Sequence, residues 1–107
     1  MDEFIIALCT VPSIETATSI ADDLVNGKYA ACVNIVPGLS SVYRWNGEIC
    51  RDNELLLIIK SRKSLFEIMK ERIITLHPYQ VPEVIAVHIS AGSEKYLDWI
   101  KDGTQAG

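Results

Sequence analysis

The densest chemistry in this chain sits around two prolines. The stretch Leu76-His77-Pro78-Tyr79-Gln80-Val81-Pro82-Glu83 puts an imidazole, a phenol and a carboxylate into one connection. Each proline fixes its own φ and lacks a backbone donor. Each also pushes the residue before it, His77 or Val81, toward extended backbone. Such side chains are held rather than loose, and stiff loops bearing polar and aromatic groups are where function concentrates. The same stretch also reads, less eventfully, as a rigid helix-to-strand connector. The other soft donors are scattered: Cys9, Cys32, Cys50 and His88.

The elements decide which of these residues can meet. Residues 4–10 read as a buried strand, and Ser13 is a helix N-cap before an apolar face of Ile14, Ala17, Ile20, Ala21, Leu24 and Val25. Asn26-Gly27 stops that helix. Residues 31–45 form a long strand interrupted at Pro37-Gly38, where a bend or bulge is expected. Asn46-Gly47 is a hairpin turn, and residues 48–61 return. Ser64-Leu65-Phe66-Glu67 matches a capping box opening a second helix, whose buried face is Leu65, Ile68, Met69, Ile73 and Leu76. After the His77 loop comes a strand over 84–91. Gly92-Ser93 then caps a last short helix with Tyr96, Leu97 and Ile100 on one side. The tail from Gly103 is expected to be loose.

This order, β-α-β-β-α-β plus a helix, is the α+β ferredoxin-like sandwich, one domain over residues 1–107. Two features exceed the minimal fold. Strands one and three are apolar on both faces, through Ile5, Ile6, Ala7 and Leu8 and through Leu55 to Ile59. Two helices cover only one face of the sheet, so a homo-oligomer packing sheet against sheet is expected, unless the last helix covers the second face alone. The central hairpin is also long, about 45 Å at about 3.3 Å per residue. Its tip should overhang and offer unpaired edges to a neighbouring subunit.

The topology brings Cys9, at the end of strand one, to the same end of the fold as His77. A thiolate and an imidazole suit copper or zinc, with a third ligand from water, Glu83 or another subunit. Against this, Cys9 also reads as an inert buried thiol and His77 as a helix C-terminal complement. His88 reads as an ordinary strand residue, Cys32 as small-residue packing and Cys50 as incidental. No catalytic set stands out, so the chain is not expected to be an enzyme, and no Gly-rich phosphate loop is present. The net charge of −4 and the lack of a basic stripe argue against nucleic acid. No apolar run is long enough for a membrane span. Three cysteines without a C-x-x-C argue against a disulfide framework or a structural zinc site and fit a reducing, cytosolic home.

Several long motifs, in order, resemble the CutA divalent-cation tolerance family. These are Leu8-Cys9-Thr10, Ala30 through Gly38, Ser41-Val42-Tyr43-Arg44-Trp45-Asn46-Gly47, His77 through Glu83, and Tyr96-Leu97-Asp98-Trp99. The resemblance implies a homotrimer, a cytoplasmic location and a link to copper or other divalent cations, with Cys9 and His77 as the metal residues. Some members carry a second histidine where this chain has Leu76, which removes one potential ligand. Two roles follow: a trimer that binds metal ions, or a small-molecule-sensing signalling trimer with ligands in clefts between subunits. Trp45, Glu54, Lys60, Tyr79 and Glu83 are the candidate cleft residues, since such clefts gather aromatic and charged groups.

Overall fold

The computed structural model describes residues 3–106. Its elements run β1 (Phe4–Val11), α1 (Ile14–Asn26), β2 (Cys32–Trp45), β3 (Glu48–Arg62), a 3₁₀ turn (Lys63–Leu65), α2 (Phe66–Leu76), β4 (Ile85–His88) and α3 (Glu94–Asp102). The strands form one sheet in the order β2-β3-β1-β4, antiparallel at every junction. This is the ferredoxin-like arrangement.

Alternation in β1 sorts the sheet into two faces. Ile5, Ala7, Cys9 and Val11 are buried beneath the helices, together with Leu57 and Ile59 of β3. From α1 come Ala17, Ile20 and Leu24, and from α2 Met69 and Ile73. The apolar stripes are narrower than their spacing implied: Ile14 and Val25 of α1 and Ile68 of α2 are exposed. A bidentate pair ties the helices together, with Arg72 Nε and Nη2 donating to Asp23 Oδ2 and Oδ1 at 2.9 and 2.5 Å.

The local signals act mostly as their chemistry dictates. Ser13 Oγ accepts the Thr16 amide at 3.2 Å and starts α1. Asn46 and Gly47 both take positive φ, the geometry that matches the twist of a two-residue hairpin. Gly38 takes φ +82, where the β2–β3 register shifts between Val36 and Leu39. The capping box does not form. A 3₁₀ turn occupies Lys63–Leu65, and α2 starts after Leu65 without a side-chain cap. The tail is docked rather than loose: Thr104 is buried and accepts from Arg62 Nε at 2.9 Å, and the Gln105 amide donates to the Lys28 carbonyl. Gly107 lies outside the described residues.

The second sheet face is different. Registers place Ile6 opposite Val87, Leu8 opposite Ile85 and Ile58, and Leu56 opposite Val36. Of these, Ile85 and Val87 are 53% and 55% exposed. The last helix does not cover this face by itself. It buries Ile100 and reaches the sheet at Lys60, whose ammonium lies 5.8 Å from the Tyr96 ring. The other departure from compactness is the hairpin. β1 pairs with β3 only from Leu55 to Arg62, so the arm from Leu39 to Glu54 continues beyond it and the molecule measures 44 × 25 × 22 Å. Among the described residues, no helix is long and apolar enough to cross a membrane.

Candidate functional site

The end of β1, the base of the hairpin arm and the His77–Glu83 loop meet at one end of the sheet. His77 follows the last turn of α2 with ψ 135, the extended backbone that Pro78 requires. Its ring turns inward and is buried. The Tyr79 amide donates to Nδ1 at 3.2 Å, and Nε2 lies 2.8 Å from the Thr10 carbonyl. An amide can only donate, so Nδ1 accepts and Nε2 carries the proton it gives to Thr10. The imidazole thus stitches the loop to β1.

Cys9 lies one residue away, as topology requires, but on the helix-covered face with no exposure. Burial, reinforced by the charges of Glu83 and Glu54, pushes its thiol up to about 12, so it is a neutral thiol at pH 7. A thiolate and a free imidazole nitrogen are what a soft cation would take from this pair. Here the thiol is protonated and both ring nitrogens are hydrogen-bonded, so binding would have to displace that proton and one of those bonds. No three His, Cys, Asp or Glu side chains converge on a metal-sized point among the described residues.

What opens at this end is a cavity of about 670 Å³, lined by Thr10, Tyr43, Trp45, Glu54, Tyr79 and Glu83 among others. Four of the five expected cleft residues therefore come together. Lys60 does not belong with them. It pairs with Ile6 and Cys32 toward the other end of the sheet, where its Nζ donates to Asn34 Oδ1 at 2.7 Å. Two phenol–carboxylate pairs shape the cavity. The Tyr79 hydroxyl donates to Glu54 Oε2 at 2.7 Å, and the Tyr43 hydroxyl donates to Asp52. Burial and the Glu54 hydrogen bond raise the Tyr79 phenol, and the Asp52 hydrogen bond pushes Tyr43 up to about 12. Both phenols stay neutral donors. Thr10, Tyr43 and Asp52 were not singled out from the sequence. The signal was available: registry Leu39–Glu54, Ser41–Asp52 and Tyr43–Cys50 places Tyr43 and Asp52 on the hairpin face that carries Glu54.

With this geometry in hand, residues 5–103 match the family model of the CutA1 divalent ion tolerance protein. The chain belongs to the CutA1 divalent ion tolerance family. It is 52% identical to the divalent-cation tolerance protein CutA of Thermus thermophilus, over 92% of this chain and 96% of that one. A solved CutA1 structure from the same organism superposes with a TM-score of 0.93 at 51% identity, covering 95% of this chain and 99% of the other. The plant CutA relatives correct the expectation of a cytoplasmic location. Protein CutA of Arabidopsis thaliana is 50% identical over 94% of this chain, which spans 56% of that longer protein, and is named chloroplastic. A CutA of Archaeoglobus fulgidus, 36% identical with a TM-score of 0.90 and covering 98% of this chain and all of that one, is named periplasmic. Members of the CutA1 family thus occupy several compartments, and membership does not imply the cytoplasm.

Proposed function

We propose that this chain serves in tolerance of divalent cations, copper among them, as a homotrimer and without catalysing a reaction. The bare apolar sheet face carries the reading. Ile6, Leu8, Leu56 and Ile58 are only half-buried and Ile85, Val36 and Val87 are exposed, on a sheet that α3 leaves open. A contiguous apolar face of this kind is normally an interface, and closed symmetric self-assembly is the economical way to cover it. The overhanging arm, with the outer edge of β2 unpaired, supports reaching into a neighbour. The names of the CutA relatives support the role in divalent-cation tolerance.

No three donors converge within the described part of one chain, so on this reading a bound cation completes its shell with water or with donors from a second subunit. The chain's partners are its own copies and metal ions, with neither nucleic acid nor membrane. A non-catalytic role is supported by the state of the Cys9–His77 pair: the thiol is buried and neutral, and both ring nitrogens of His77 are engaged. Calorimetric titration of the assembled protein with Cu²⁺ tests the metal role. Saturable uptake that Cys9→Ala leaves unchanged is expected. Uptake abolished by Cys9→Ala would return the thiol to the site, and no uptake by the wild type would end the metal role.

A second reading is favoured by the cavity. Its size is that of a small-molecule site, and a sensing trimer would hold ligands there. That reading expects a binding compound to raise the melting temperature by linkage.

A further inference from the structure

Glu54 is 6% exposed, which is unusual for a glutamate without a cationic partner, because a buried charge is normally paired. Its Oε2 accepts from Tyr79, but it forms no ion pair among the described residues. Among the described residues, no lysine or arginine lines the cavity, whereas Glu83 does. The two carboxylates also act together on Cys9, whose thiol they both help to keep protonated, so the potential at the base of the cavity is negative. Around them stand three aromatic rings, Tyr43, Trp45 and Tyr79, and ring faces attract cations.

A compact metal ion is poorly served here, since the carboxylates do not converge with a third donor. A larger, diffuse cation with an apolar body matches both features. We infer that this cleft binds a small organic ammonium ion, its charge set against Glu54 and Glu83 and its carbon skeleton against Tyr43, Trp45 and Tyr79. The inference rests on the small-molecule reading of the cavity and names its ligand class. The phenols donate to Glu54 and Asp52, so the carboxylates orient the rings. A neutral or anionic ligand of the same size has nothing to compensate Glu54.

The test is calorimetric titration of the full-length assembled protein with butylammonium, pentan-1-ol and pentanoate at equal ionic strength. Butylammonium should bind saturably, with the alcohol and the carboxylate at least about tenfold weaker. Glu54→Gln keeps the shape and an acceptor for Tyr79, and should weaken butylammonium about tenfold while leaving pentan-1-ol unchanged. If that variant does not fold, Glu83→Gln, at an exposed position, carries the same expectation, and Trp45→Leu checks the aromatic contribution. Equal binding of butylammonium and pentan-1-ol would overturn the inference while leaving a small-molecule cleft. Binding of none of the three would remove both.

Discussion

At the scale of single residues, hydrogen bonds tie the site together. His77 accepts at one nitrogen and donates at the other, so it is a strut between the loop and β1. His77→Ala should leave the Thr10 carbonyl and the Tyr79 amide without their partner and lower stability by about 1–3 kcal/mol, read by urea unfolding. Copper uptake by the folded variant should be unchanged. The nearness of Cys9 and His77 was legible from topology, because strand and helix directions alone bring them to one end. Their engagement was not, since it depends on which way the ring turns and on which sheet face the thiol sits. Lys60 went astray for a related reason: it is a charge on the right strand, but it pairs with Ile6 and not with the end where Glu54 lies.

At the scale of elements, turn chemistry was the most readable layer. Asn46-Gly47 and Pro37-Gly38 act through their own backbone preference and Ser13 through a side-chain bond to Thr16, none of which needs a tertiary partner. The Ser64 capping box failed because β3 runs on to Arg62 and a 3₁₀ turn takes up the following residues. The docked tail was hidden because its bonds reach Arg62 and Lys28, far away in sequence. The α1–α2 pair gives a pH prediction. The Arg72 hydrogen bond, partly opposed by burial and aided by the Arg72 charge, holds the Asp23 carboxyl below its ordinary 3.8. A depressed carboxyl contributes stability above the unfolded-state value and loses it as pH falls through the folded one. Asp23→Asn should therefore lower the melting temperature at neutral pH and flatten its decline on the acid side below about pH 4, measured by thermal denaturation across pH. An unchanged acid limb would assign the pair no role in stability.

At the scale of the whole molecule, the sheet is the part the monomer leaves unfinished. The two-faced apolar strands in the sequence already implied a covered second face, and the registers show which residues form it. Ile85→Asp, at a position more than half exposed in the single chain, would be nearly neutral for a monomer, because solvated surface substitutions cost little. In an assembly that buries the face it places a charge in an apolar interface and should dissociate the subunits, seen as a loss of mass in size-exclusion chromatography with light scattering. The most direct test of the account is sedimentation equilibrium of the wild-type chain. The account predicts a single species of three times the chain mass; a stable monomer, with Ile85 and Val87 in water, would contradict it.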